Sequence, residues 1–308
     1  HTANRRQRQM CIRDRSILVL GAEIVIRGSV SFGRKLNISL FAIGVVIVAG
    51  GTSLPELASS INAVLNNHAD LALGAVVGSN IANLILVMAA TTIILPISNI
   101  TKNQINQALI NIALGLVLIL MNFLYFNFIF GIFSVILLTF IMYTQVKKKS
   151  LNLEEINKSE YSIFLSVFLI IIGVIFLIYG SDLLISSSIN IASNFNVSET
   201  VIGLSIIALG TSLPELVVGV ISALKKKVDF ALGNILGSNI YNVLGVLGIS
   251  SFFGTFEMPN VLAKQDLIFM LFITFIILAF MFFAKKIGRA YGCVAFILYI
   301  SYIYYILS

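Results

Sequence analysis

The sequence predicts an all-α polytopic membrane protein, with ten transmembrane helices arranged as two inverted five-helix repeats. Three observations lead there. The 308 residues are 58% hydrophobic and only 11% charged, against about 25% charged in a soluble domain. The apolar runs are too long and too numerous for buried core helices, and many reach the ~20 residues that span a bilayer. The heptapeptide Gly-Thr-Ser-Leu-Pro-Glu-Leu occurs twice, at Gly51–Leu57 and Gly210–Leu216. At that offset of 159 residues, Ile43–Asn83 matches Ile202–Asn242 at 21 of 41 positions without a gap. A β-barrel is disfavoured, because the segments lack period-two alternation.

The first fifteen residues, His1–Arg15, hold five arginines and almost no apolar periodicity. They read as a non-native segment. They do not read as a signal peptide, because no small-residue cleavage site follows. Candidate spans then run 16–33, 38–64, 70–93, 104–122 and 126–146, followed by 161–188, 197–224, 229–252, 265–284 and 290–307. The first repeat is therefore 16–146, a polar linker occupies 147–160, and the second repeat is 161–308.

Loop charge sets orientation. Alternate loops carry Arg34 and Lys35; Lys102; Lys147–Lys149 with Lys158; Lys225–Lys227; and Lys285, Lys286 and Arg289. The remaining loops carry only Lys264. The basic set belongs in the cytoplasm, which makes 147–160 a cytoplasmic linker and leaves both termini outside. Five spans per half is an odd number, so the second half enters the membrane in the opposite sense. Two related halves of opposite orientation bring their equivalent sites together near the midplane. Short loops without a large cytoplasmic insertion point to the cell (inner) membrane of a prokaryote.

Composition also excludes whole classes. The net charge of +7 falls between apolar segments, as in membrane loops, and does not form a nucleic-acid surface. Cys11 and Cys293 are the two cysteines, so there is no disulfide framework or zinc spacing. With His1 and His68 as the two histidines and no His-Glu-x-x-His, an intramembrane enzyme has no support. No cofactor is implied.

The chemistry lies in the repeated residues. Both heptapeptides place a carboxylate, Glu56 or Glu215, inside an apolar stretch, where an ionised group is costly. On a helix, Thr52 and Ser53 share a face with Glu56. Pro55 cannot donate to the Gly51 carbonyl, so the helix is expected to kink and free carbonyl oxygens around Ala49–Thr52. Such backbone survives at membrane depth only where it is buried in protein or lines a wet cavity. Ala208–Thr211, Ser212, Pro214 and Glu215 repeat the arrangement. Hydroxyls, freed carbonyls and a carboxylate make an oxygen-only ligand set of the kind that hard cations such as Ca²⁺ and Na⁺ prefer. The next span of each half carries Gly78-Ser79-Asn80-Ile81-Ala82-Asn83 or Gly237-Ser238-Asn239-Ile240-Tyr241-Asn242. Ser79 and Asn83 fall on one face, as do Ser238 and Asn242. The asparagines read as amide ligands or as support for the glutamates. Glu23 and Asp182 are also repeat-equivalent and read as acids near a helix terminus.

Gly-Thr-Ser-Leu-Pro-Glu followed by Gly-Ser-Asn-Ile-x-Asn, once in each half, resembles the two α-repeats of sodium/calcium exchangers, in the calcium:cation antiporter superfamily. The resemblance extends over roughly residues 16–307. It implies a ten-helix fold with ion sites near the midplane. Glu56 and Glu215 would be the shared Ca²⁺ carboxylates, and Thr52 and Thr211 would give backbone carbonyls to the same site. Ser53, Ser212, Ser79, Ser238 and the carbonyls of Ala49 and Ala208 would line flanking Na⁺ sites, with Asn83 and Asn242 beside the central pair. Helices one and six would slide across the remaining core as a gating pair. Some prokaryotic members carry Asp where this chain has Asn242, so this chain has one ionisable group fewer.

The function this implies is secondary antiport, Ca²⁺ against Na⁺, by alternating access. Two facing carboxylates resist a dry, occluded state until cations neutralise them, which is a physical reason for obligatory exchange. A cation/proton antiporter moving Ca²⁺, Mn²⁺ or K⁺ is the alternative on the same fold. A cation channel is more distant, since channels usually take their filter from a ring of subunits. The partners are the lipid bilayer and inorganic cations, and a monomer suffices for the site.

Overall fold

The structure is a computed structural model that describes residues 2–147, 161–194, 208–258 and 265–307, with side chains over 16–147, 161–185, 210–258 and 265–305. The expected linker from 148 onward, Lys264 and the first part of the seventh span lie outside these residues. The helices in chain order are α1 (Thr2–Leu36), α2 (Leu40–Thr52), α3 (Leu54–Leu65), α4 (Ala69–Ile94), α5 (Lys102–Phe123) and α6 (Phe128–Val146). The second half supplies α7 (Ile163–Asn194), α8 (Ala208–Thr211), α9 (Leu213–Leu224), α10 (Val228–Ser250), α11 (Asp266–Ala284) and α12 (Arg289–Leu307).

Among the described residues, seven helices are long and apolar enough to cross a membrane, and the bent pair α2–α3 makes an eighth. The chain is a multi-pass membrane protein. The spanning window of α10 is 94% buried and that of α4 72%, whereas α6 is only 28% buried. The two helices that follow the motifs therefore form the centre, and α6 faces outward.

Local sequence explains the helix ends. Ser39, Thr101 and Asn127 cap α2, α5 and α6, each side chain accepting a backbone N–H. Thr101 and Gln104 form a reciprocal capping box. Helices α3 and α9 end alike. Asn67 and Lys226, which are repeat-equivalent, both take φ near 60°. The next N–H returns to the helix in each, His68 to the Ala63 carbonyl and Lys227 to the Ser222 carbonyl, both at 2.8 Å. The duplication thus extends to backbone hydrogen bonds outside the motif.

Helices α1 and α7 run antiparallel in close contact. A Cβ on Gly21 would meet the Leu177 backbone nitrogen at 2.9 Å, and one on Gly28 would meet the Ser166 carbonyl at 2.8 Å. Small residues let these backbones approach. The pair forms an apolar cluster of its own with Val48, Val218 and Phe230, separate from the large central core. Helix α1 lies along α9. Helix α7 meets the first half at Ala49–Thr52, where Val174 covers Gly51. It makes no comparable packing on α3 among the described residues.

Candidate functional site

Each motif is interrupted one residue before its Leu-Pro-Glu. Ser53 (φ −84°, ψ 7°) and Ser212 (φ −87°, ψ 4°) leave the helical region in the same way. In the first half α2 and α3 meet at a 42° bend. The break falls N-terminal to Pro55 because the ring removes a donor and crowds the turn before it. Glu56 and Glu215 then sit in the first turns of α3 and α9, both fully buried.

The second helix of each half completes the surroundings. Ser79 Oγ donates to Glu56 Oε1 at 3.4 Å, and Ser238 Oγ donates to Glu215 Oε1 at 3.3 Å. The glutamates are thus held by these serines, each within its own half, and not by the asparagines that were expected to support them. Thr52 crosses over to the second half, where its Oγ1 lies 3.4 Å from Ser238 Oγ and 3.4 Å from Asn234 Oδ1. Sharing a helix face with Glu56 was the expectation for Thr52; the break at Ser53 turns it to the opposite half instead.

Asn83 and Asn242 are both fully buried, and neither donates to a glutamate. Asn83 Nδ2 donates to Asn239 Oδ1 at 3.0 Å, and Asn242 Nδ2 donates to Asn80 Oδ1 at 3.0 Å and to Ser79 Oγ at 3.1 Å. These are one contact seen from each half, since 83 and 239 become 242 and 80 at the repeat offset. Both donors are thereby used on protein, and the two Oδ1 atoms have no hydrogen-bond partner. Wide i→i+5 turns run over Asn83–Val87, opened by Asn83, and over Tyr241–Leu247, which contains Asn242. Turns of this kind are frequent at functional sites.

Ser212 Oγ donates to Ser79 Oγ at 3.0 Å, while its counterpart Ser53 Oγ has no partner. The Ala49 carbonyl accepts Ser53 N at 3.0 Å and Thr52 Oγ1 at 3.3 Å. Ala208 begins the helical segment that ends at Thr211.

The unpartnered atoms reveal the chemistry. Glu56 Oε2, Glu215 Oε2, Asn83 Oδ1, Asn242 Oδ1 and Ser53 Oγ are buried and lack donors. Buried polar atoms without partners are uncommon. All five are oxygens, and with Asn234 Nδ2 as the one unpartnered nitrogen beside Thr52 the site has more orphan acceptors than donors, which a hard cation satisfies. Among the described residues no group of three or more His, Cys, Asp or Glu could hold a metal. The candidate site is two carboxylates surrounded by neutral oxygens. Asn80, Asn239 and Asn234 join it without having been predicted as site residues. The duplicated Ser-Asn-Ile-x-Asn spacing carried the first two.

The sodium/calcium exchanger protein family model matches residues 16–147 and 165–308. The uncharacterized membrane protein MJ0091 of Methanocaldococcus jannaschii is 34% identical over 92% of this chain and 92% of its own. Sodium/calcium exchanger MaX1 of Methanosarcina acetivorans is 28% identical over 93% of this chain and 94% of its own. A structure of the sodium-calcium exchanger NCX_Mj soaked with 10 mM Na⁺ and zero Ca²⁺ superposes with a TM-score of 0.85. It is 31% identical over 96% of this chain and 97% of that one.

Proposed function

Since the chain belongs to the sodium/calcium exchanger family, we propose that the buried oxygen cluster around Glu56 and Glu215 is where Ca²⁺ and Na⁺ take turns to bind. The protein is a secondary antiporter and not an enzyme, and the ions are its substrates. The observation that carries the site is the set of five donor-less buried oxygens contributed by both halves.

In this reading Glu56 and Glu215 are the shared carboxylates. Thr52, Thr211, Ser53, Ser212, Ser79, Ser238 and the carbonyls of Ala49 and Ala208 supply neutral oxygens, and Asn83 and Asn242 supply their Oδ1 atoms. An empty pair of facing carboxylates opposes closure, and either cation load relieves that. The halves are inverted repeats of five spans, with α8 and α9 as the described part of the seventh span and α12 as the tenth. The antiparallel run of the repeat-equivalent helices α1 and α7 supports this. Loop charge supports a cytoplasmic 147–160 segment, both termini outside, and the cell membrane of a prokaryote.

The test is ⁴⁵Ca²⁺ uptake by proteoliposomes loaded with Na⁺, with K⁺, or with an acidic interior. Uptake that requires internal Na⁺ is expected. Uptake driven by a proton gradient alone would overturn the Na⁺ coupling and assign proton exchange to the same glutamates.

A further inference from the structure

Two side-chain ties fasten the α1–α7 pair to the second half. Lys225, at the end of α9, donates to Glu23 Oε1 at 2.6 Å, and Arg27 Nε donates to the same oxygen at 2.6 Å from the next turn of α1. On α7, the buried Ser181 hydroxyl donates to the Gly210 carbonyl at 2.7 Å. The helical donor to that carbonyl would be residue 214, and Pro214 has no N–H. Ser181 supplies the missing hydrogen bond from another helix, one residue away from Thr211.

The repeat offset names the residue at the counterpart of each tie. Ala22 stands for Ser181, Asn66 for Lys225 and Ser186 for Arg27, while the acid is kept as Asp182. Pro55 deprives the Gly51 carbonyl in the same way, but Ala22 has no hydroxyl to offer it. Asn66 is uncharged, and its amide is turned to Asn62 at 2.7 and 2.9 Å. Asp182 is exposed and has no ion pair among the described residues. Packing follows the same asymmetry, with α1 along α9 and no comparable packing of α7 on α3 among the described residues.

We infer that Glu23, Lys225 and Ser181 are positioning residues that hold the transporter in the conformation seen here, and that the opposite conformation lacks equivalent ties. The inference rests on the antiporter reading for the existence of that second conformation. An inverted repeat whose halves exchange conformations would bring Asp182 toward Asn66 and Ala22 toward Gly51. Two interhelical ties present on one side only then bias the equilibrium. A partly exposed ion pair such as Glu23–Lys225, 26% and 31% accessible, shifts a population by about 1.5- to 5-fold. A hydrogen bond between helices in a membrane shifts it by about threefold.

The test uses the full chain in lipid nanodiscs with spin labels at Leu20→Cys on α1 and Phe133→Cys on α6, in a Cys11→Ser, Cys293→Ser background. Electron–electron double resonance then reads the distance distribution. Glu23→Gln and Ser181→Ala should each enlarge the minor population by these factors, and the double variant by their product. Ala22→Ser with Asn66→Lys leaves the existing ties intact and installs the missing ones. It should move the distribution in the same direction. A distribution unmoved in both the removal and the installation variants overturns the inference. Exchange assays on the same proteins separate the two readings. Na⁺-dependent uptake with unmoved distances overturns the ties and leaves antiport standing, whereas moved distances without exchange support the ties and overturn antiport.

Discussion

Helices α3 and α9 begin with the same Leu-Pro-Glu-Leu and then diverge. Helix α9 presents Val217, Val218 and Ile221, which pack against α1. The equivalent positions of α3 are Ala58, Ser59 and Asn62, and all three are exposed. The turn that holds each glutamate is shared almost atom for atom, but the outer face is not. Duplicated chemistry is therefore kept where both halves meet, at the proposed cation site. It is released where, in any one conformation, the halves have different neighbours. Apolar residues stand on the covered face and polar ones on the open face, so the sequence of each half carries a preference for its own surroundings.

The strongest way to break this comparison is at the shared turn. Glu56→Gln and Glu215→Gln should each lower Na⁺-dependent ⁴⁵Ca²⁺ uptake by about 100-fold or more, the scale of removing one partner from a buried charge cluster. Equal losses would show that the halves contribute alike. Full-rate exchange in either variant would sink the paired-carboxylate site.

The amide pairs sharpen it. Asn80→Ala and Asn239→Ala should each weaken Ca²⁺ affinity about tenfold, as loss of a group that orients a ligand does. The two need not be equal. Asn80 Oδ1 anchors Asn242, whose Nδ2 has a second partner in Ser79, while Asn83 Nδ2 donates to Asn239 alone among the described residues. Asn239→Ala is therefore expected to be the more damaging, read as the apparent Ca²⁺ affinity in uptake.

The outer faces give a third contrast. Val218 is fully buried and Ser59 is its exposed equivalent. Val218→Ser should destabilise the protein by about 1–3 kcal/mol through lost burial and a stranded hydroxyl. Ser59→Ala should change stability by less than about 0.5 kcal/mol. Thermal unfolding in detergent would check both, and comparable losses would contradict the assignment of one face as covered and the other as open.

Much of this was legible before the structure. Membrane helices declare themselves by hydropathy, because every backbone polar group in the bilayer must be satisfied within the segment. Glu56 and Glu215 stood out because a duplicated carboxylate in an apolar run has few structural uses. Partner choice was less legible. Helical spacing assigns faces but not which half supplies the facing group, so the spacing groups Thr52 with Glu56 while its hydroxyl meets Asn234 and Ser238 of the other half. Asn80 and Asn239 were passed over for the same reason: their partners are Asn242 and Asn83 across the repeat boundary. The wide turns at Asn83 and Tyr241 leave no composition signal, since they arise from how the central helices are packed.

The smallest expected effect tests a compensated difference between the halves. Gly50 in the first half has Tyr241 against it, with the ring Cζ 2.9 Å from where a Cβ would lie. At the repeat offset these positions are Leu209 and Ala82, so small and large residues are exchanged and the combined bulk is retained. The added feature is the hydroxyl of Tyr241, which donates to the Val46 carbonyl at 2.8 Å within the wide turn of α2. Tyr241→Phe keeps the ring and removes only this bond, at about 0.5–1 kcal/mol, and should lower the thermal midpoint by about 1–3 °C. Gly50→Ala keeps the bond and crowds the ring, so it should destabilise by more, about 1–3 kcal/mol. If Tyr241→Phe proved the more damaging of the two, the hydrogen bond to the α2 turn, and not the exchange of volumes, would be what this half depends on.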